Sequence, residues 1–474
     1  MSRLIIKTVA ATVLLACVSS CLWPGDQGGG ESLVNFSHLR HLTETIEFRG
    51  EMVDVVHVYA KYPNYEWLEA ADAGPEGIAC VDDAARAAVL YLRHYELFGD
   101  TTSAHAARAL LRFVQGMQAP DGQFYNFIFK DRSINTDGRT SLKSFGWWAA
   151  RAVWAMGRGF ETLRLQDPEF ALLLRERLER TVPHLRAMLK RRGEADTTQG
   201  YLVPRWLINE SAADATSELL LGLLAWYRAE PDSALGEMIR AFAEGLMLMQ
   251  DGDEVDFPYG LHRSWETLWH MYGNGQTQAL ASAGLILGDS LMTHSAEREA
   301  RGFYARLLIQ GFMKWMDVTA PEGRQDFEQI AYGIRPMAVG LLRTYEATGR
   351  SEYAIMAALA TAWLIGNNVL GEAMYDPATG RCYDGISDSV SLNRDSGAES
   401  TIEALLILTE IERYPGLRNY LSYRRVHAGH VGDTLYAHFE GRKGEKLALL
   451  MNQSDGSLRV LEGEDAVDIQ KDVR

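Results

Sequence analysis

A chain of 474 residues, 47% hydrophobic and 23% charged, is long enough for one large domain or two to three ordinary ones, with a sizeable core. Its formal net charge of −16 argues against a nucleic-acid partner, because phosphate backbones are held by clustered Lys and Arg. The same charge disfavours attraction of a strongly anionic polymer, except at a local basic patch.

The chain opens on "MSRLIIKTVAATVLLACVSSC", with Arg3 and Lys7 ahead of a short apolar run and small residues before Cys21. This is the pattern of a targeting segment, and the run is too short and interrupted for a comfortable membrane span. "VSSC" resembles a bacterial lipobox, which implies cleavage before Cys21 and lipidation of its thiol; an ordinary secretory signal cleaved nearby is the alternative. The expected layout is a signal over 1–20, a Gly- and Pro-bearing tether over 21–36, and a body held at the cell envelope by a lipid anchor, facing periplasm or exterior.

From 37 to 413 apolar residues recur at three- and four-residue spacing between Gly-, Pro- and Asp-bearing breaks. The spacing predicts helices near 37–60, 80–98, 101–118, 141–163, 167–191, 212–229, 232–250, 274–290, 293–317, 326–348, 351–369 and 396–413. Short turns such as "LFGD", "RLQD" and "AEPD" alternate with long aromatic and polar connections, so one end of the scaffold carries the working loops. A closed ring of helical hairpins fits this alternation better than a superhelical repeat array. After "ERYPGLRNY" the runs "TLYAHFEG", "EKLALLMNQ" and "SLRVLEG" read as strands, giving a small β appendage over 414–474.

About twelve alternating helices with carboxylate-bearing loops at one end resemble the (α/α)6 toroid of the six-hairpin glycosidases. "CVDDAARAAV" is similar to the DD-x-ARA signature of toroid domains in sugar-processing bacterial proteins, and "FYNFIFKDR", "DGRTSLKSFGWWAARAVWAMGRG" and "DSGAESTIEALLIL" fit the same pattern. The resemblance implies a mainly α fold and a funnel of carboxylates and aromatics at the loop-rich end. Ring closure would make Cys80 and Cys382 neighbours, near enough for a disulfide.

Adjacent helical residues point about 100° apart, so Asp82 and Asp83 must serve different directions. Asp83 heads the apolar stripe through Ala87, Leu90 and Tyr91 and is expected to face the funnel. Asp82 heads the stripe through Arg86, its expected ion-pair partner at i+4. Capping of the first turn by both is the structural alternative. Glycoside hydrolysis needs two flanking carboxyls, one protonated and one ionised, and Asp137 of "NTDGRT" is the nearest partner for Asp83 in ring order unless it only makes an Asp-Gly turn. "SGAE" and "SAAD" read first as capping boxes, assigning Glu399 and Asp214 to caps and leaving Glu210 as the more interesting acid; Asp395 caps or faces the funnel. Asp82, Glu210, Asp326, Glu328, Asp395 and, as the alternative to its cap, Glu399 are the further expected substrate contacts.

Trp147, Trp148, Trp206, Tyr259, Trp265, Trp269 and Tyr272 sit in or beside the long loops, where aromatic faces could stack on sugar rings. Trp206, Tyr259 and His262, flanked by Gly, Pro and Arg, are the expected cleft residues. His262 and His270 lack metal-ligand spacing, and no serine-hydrolase, phosphate-loop or dinucleotide motif occurs, so neither metal nor cofactor is expected. The expected activity is glycoside hydrolysis of an oligosaccharide or polysaccharide. A polysaccharide lyase using Tyr125, Asn126, His262 and Arg263, and a non-catalytic glycan-binding lipoprotein, are the alternatives.

Overall fold

The computed structural model describes residues 32–467. Helices follow in the order α1 (Ser37–Leu42), α2 (Val81–Phe98), α3 (Thr101–Gly116), α4 (Trp147–Leu163), α5 (Pro168–Glu179), α6 (Val182–Leu189), α7 (Ala213–Ala229), α8 (Ser233–Leu248), α9 (Gln276–Leu287), α10 (Ser290–Glu299), α11 (Ala305–Gln310), α12 (Ala331–Thr348), α13 (Ser351–Thr361) and α14 (Ala398–Glu412). A π-helical turn, Ala300–Tyr304, joins α10 to α11 as one outer rod.

Among the described residues six inner helices close a ring. α2 packs on α4, α4 on α7, α7 on α9, α9 on α12, α12 on α14, and α14 returns onto α2. The chain is an (α/α)6 toroid, as the resemblance implied. The inner helices carry small and apolar residues on most sides because both their flanks and their outer faces are covered. At the α4–α7 crossing this goes to backbone contact: a Cβ on Gly157 would lie 2.3 Å from the Gly222 carbonyl oxygen, so the helices could not approach with any larger residue.

Short turns link inner to outer helices as expected. At "FGD", Gly99 takes φ 70° and ends α2, while the Asp100 carboxylate accepts the Thr102 N–H to start α3.

Several elements depart from the periodicity. The segment 37–60 is helical only to Leu42. Thr43–Phe48 then pairs antiparallel with Glu51–Val56 across Arg49 and Gly50, both at positive φ, as a two-residue hairpin turn requires. Its β-branched Thr and Val residues at alternating positions favour that strand pair. The predicted 167–191 helix breaks between Glu179 and Val182, with Pro183 opening α6, and 293–317 ends at Gly311, whose φ of 117° closes α11.

Ser32 and the Leu33 N–H bond Glu412, so the end of the stretch read as tether lies against α14. Strands Arg424–Val431, Thr434–Glu440, Lys446–Asn452 and Leu458–Glu462 form an antiparallel sheet in chain order that packs on α11 and α13.

Polar groups fill the ring axis. Buried Arg335 on α12 donates to Glu403 of α14 at 2.6 Å, Glu218 of α7 at 2.9 Å and Gln278 of α9 at 3.1 Å. Arg86 on α2 donates to Glu403 at 3.1 Å, Glu399 at 3.0 Å and Asp83 at 2.7 Å. Buried charges of this kind are tolerated only when every guanidinium face is engaged, and here each is. Below them, at the C-terminal ends of the inner helices, Arg228, Glu161, Arg158, Glu96, Arg93, Glu410, Arg343, Glu346 and Arg413 form one alternating chain of ion pairs.

Candidate functional site

The N-termini of the inner helices and the long connections enclose a funnel of two lobes. One, of about 760 Å³, is bounded by α2, α14 and the loop before it; the other, of about 700 Å³, lies between α2, α4 and α7. Asp82, Arg151, Tyr272 and Tyr332 line both and form the shared wall. Helix N-termini present unsatisfied N–H groups and positive dipole ends, which suits a site rich in carboxylates.

Both aspartates of "CVDD" line the funnel, but the ion pair with Arg86 falls to Asp83 rather than to Asp82. Asp82, not Asp83, stands on the shared wall. Asn126 Nδ2 donates to its Oδ2 at 3.0 Å, and Arg151 Nη1 lies 2.8 Å from its Oδ1 as a charge contact without hydrogen-bond alignment. Asp83 is 2% exposed and held by Arg86 at 2.7 Å, and it accepts the Cys80 thiol at 3.2 Å. Burial raises its pKa, against the opposing pull of Arg86. Arg86 therefore pairs at i−3 with Asp83 and only its Nε reaches the Asp82 carbonyl oxygen.

The acidic lobe gathers Glu399, Glu328, Asp395 and Asp384 around the first turn of α14. The expected capping box at "SGAE" does not form: Gly397 is the N-cap, Ser396 Oγ donates to the Cys382 carbonyl, and Glu399 is free to bond Arg86. Asp395 accepts Lys61 Nζ and the Tyr62 N–H, each at 3.0 Å, and fixes the hairpin Tyr59–Lys61/Glu66–Leu68 at the rim. Asp384 has a divided carboxyl. Its Oδ1 accepts the Gly397 N–H at 2.8 Å and Ser400 Oγ at 2.6 Å, while Oδ2 has no partner among the described residues. Burial pushes its pKa up to about 6 against those two donors, with Asp395 and Glu399 adding like-charge repulsion.

The second lobe is aromatic. Trp147, Trp148 and Trp265 surround Asp214 and His270, whose Nε2 lies 2.9 Å from Asp214 Oδ2. Asp214 opens α7 as an inward acid and does not cap it through a box with Ser211. Burial raises its pKa. Arg151 Nε and His270 Nδ1 are buried there without a partner. Arg151 Nη2 donates to Tyr332 Oη at 2.5 Å, and burial raises the Tyr332 hydroxyl.

Trp147, Trp148, Trp265, Tyr272, Asn126, Cys80, Asp82, Asp83, Glu328, Asp395 and Glu399 are thus brought to one funnel, and other expected residues lie elsewhere. Asp137 is exposed in a loop fastened by Asn135 and lines neither lobe. Trp206 is 1% exposed and donates to the Ala241 carbonyl inside the core. Glu210 is solvated and paired with Arg191, and Tyr259 lies under the Arg306 guanidinium at 3.6 Å, away from both lobes. His262 is fully buried between Glu299 and Ser295. Asp326 pairs with Arg324 in a separate depression. Cys80 and Cys382 are buried free thiols, so the expected bridge is not formed: one faces Asp83, the other the Tyr383 carbonyl. Cys21 lies outside the described residues.

Asp384, Arg151, Tyr332 and the Asp214–His270 pair were missed. For Arg151 the signal was available, one turn after Trp147 on the same inner helix; Asp384 sits in a loop without periodicity and offered none.

The sequence matches no protein-family model and no curated protein sequence. Solved structures do match. A sugar epimerase from a ruminal bacterium aligns at TM-score 0.55 and 13% identity over 80% of this chain and 95% of its own. Cellobiose 2-epimerase from Bacillus thermoamylovorans aligns at 0.55 and 12%, over 79% and 95%. A D-mannose isomerase aligns at 0.53 and 11%, over 76% and 92%. At such identities the likeness is one of fold.

Proposed function

We propose that the protein is a carbohydrate-active enzyme, a glycoside hydrolase whose acid is Asp384 and whose base or nucleophile is Glu399. One observation carries the reading: in a single lobe, a half-anchored carboxyl with a pKa near 6 and an open Oδ2 adjoins a carboxylate paired with arginine. A carboxyl kept protonated by burial beside an arginine-paired carboxylate is what protonating a leaving oxygen and activating water, or attacking the sugar carbon, require. Asp384 Oδ2 would give its proton to the glycosidic oxygen. Glu399, steadied by Arg86 through Oε2, would act from the other side. Asp82, Arg151 and the tryptophans would hold the glycan.

The test is turnover of an oligosaccharide panel by wild type, Asp384→Asn and Glu399→Gln. Hydrolysis lost in both folded variants supports the assignment; full activity in either removes that residue from it.

A second reading, sugar epimerisation or isomerisation, is favoured by the Asp214–His270 pair with its open Nδ1 and by the names of the fold neighbours. Exchange of a sugar C–H proton with deuterated water, with no new reducing end, would select it. Of the residues named for a lyase, His262 and Arg263 are fully buried outside both lobes, while Asn126 lines the aromatic lobe. Placement at the cell envelope through a lipid on Cys21 is part of the proposal, and rests on the sequence alone.

A further inference from the structure

The two lobes differ in charge. The aromatic lobe holds three acids, each with a partner: Asp82 faces Arg151, Asp214 faces His270, and Glu76 accepts Thr140 Oγ1. The acidic lobe is lined by seven carboxylic side chains and two arginines. Arg86 is not available to a ligand's anion there, and Arg151 offers only its Nε. Arg86 is 2% exposed and already bonds Asp83, Glu399 and Glu403, and the charge face of Arg151 is turned to Asp82. The Lys61 ammonium at the rim is engaged by Asp395. Glu328 has no cation nearer than Lys314 Nζ at 3.8 Å, and Asp72 at the mouth only accepts the Tyr59 hydroxyl. The lobe therefore keeps an excess of negative charge in a concave setting that focuses it.

A second observation marks the wall as built for a sugar. Arg151 is 93% buried as a residue, yet its Nε donor has no partner among the described residues, and it lines both lobes. A buried donor without an acceptor is costly unless a ligand supplies one, and a hydroxyl or ring oxygen would.

We infer that the glycan unit seated in the acidic lobe carries a free amino group, so that the substrate is an amino-sugar glycan with unacetylated nitrogen, and that uronate glycans are excluded. This rests on the glycosidase reading for its placement in the funnel. The ammonium would lie against Glu328 and Asp395 at the rim side of the lobe, while the neighbouring unit stacks in the aromatic lobe. A uronate carboxylate in the same place would lie against Glu328 and Asp395.

The experiment uses the full-length Asp384→Asn protein, in which turnover is blocked, and isothermal titration with four tetrasaccharides. Three share a β-1,4 linkage and ring configuration and differ at C2: the glucosamine tetramer, its N-acetylated counterpart and cellotetraose. The fourth is a galacturonate tetramer. At pH 7 and low salt the glucosamine tetramer should bind about tenfold more tightly than cellotetraose. The advantage should collapse at 0.5 M salt, where screening extends over only a few ångströms, and should shrink about threefold in the Glu328→Gln, Asp384→Asn double variant. The uronate should not bind. Equal or tighter binding of the neutral tetramers at every salt concentration overturns the inference and leaves the glycosidase reading standing. Binding of the uronate alone overturns it too, and absence of binding by all four removes both.

Discussion

Replacing Asp384 with Asn should cripple the enzyme and stabilise the protein at the same time. The Asp384 carboxyl has an ordinary value of 3.8 when unfolded and about 6 when folded, raised first by burial. A folded pKa above the unfolded one means that folding takes up a proton. Its contribution is fully present below pH 3.8 and is lost as pH rises through 6. Two pH units correspond to about 3 kcal/mol between those limits, at about 1.4 kcal/mol per unit. Asparagine keeps an acceptor for the Gly397 N–H and Ser400 Oγ, and carries no charge to bury. Below pH 4 the variant should match or fall slightly below wild type in urea denaturation; above pH 7 it should be about 2 kcal/mol more stable. Over the same interval kcat/KM on a natural glycoside should fall about 10²- to 10⁴-fold, and much less on a substrate whose leaving group needs no proton. A stability difference between the two proteins that does not change from pH 4 to 8 would refute the environment assigned to this carboxyl.

Other outcomes test the remaining framework. Arg335→Leu strands Glu218 and half of Glu403 at the ring axis and should cost about 3–5 kcal/mol, read as a lower denaturation midpoint; a loss below about 1 kcal/mol would mean that the axis is not a closed charge network. Asp137→Asn should retain wild-type turnover, since that side chain is solvated outside the funnel. Trp265→Ala should raise KM several-fold with kcat little changed, since Trp265 lines the aromatic lobe away from Asp384 and Glu399. Cys21→Ala should abolish incorporation of a labelled fatty acid and release the protein from membranes in fractionation; unchanged membrane association would remove the anchor.

The helices were legible because burial on nearly all sides leaves long runs of small and apolar residues between Gly-Asp and Asp-Pro breaks, and the turn chemistry at Gly99–Asp100 is local. The hairpin at 43–56 was not, because its Arg49-Gly50 turn lacks the Asn-Gly or Asp-Gly signature while its apolar residues also satisfy helical spacing. In the funnel, Asp82 and Asp83 were both found, but Arg86 pairs with Asp83 and not with Asp82. A stripe argument treats inward as a single direction, whereas a toroid's inner helix faces two ring neighbours and a central hollow. Glu399 and Asp214 were assigned to capping boxes on a four-residue pattern that takes no account of what lies across the ring. In the fold, Arg86 and His270, from distant parts of the chain, claim those carboxylates. The loop positions Asp137, Glu210 and Asp326 were chosen by proximity in sequence to helix starts, and the loops turn them outward.

The ring closes where α14 meets α2. Those helices stand at opposite extremes of the polypeptide, and what ties them is ionic: Arg86 to Glu399 and Glu403, Arg93 to Glu410. Until residue 412 or so has left the ribosome the circle has a gap, Arg86 lacks two of its three counter-charges, and the basin has only part of its rim. A nascent or proteolytically shortened chain lacking that final rod would hold neither Glu399 nor a finished wall, so hydrolytic competence and topological completion would arrive in one step.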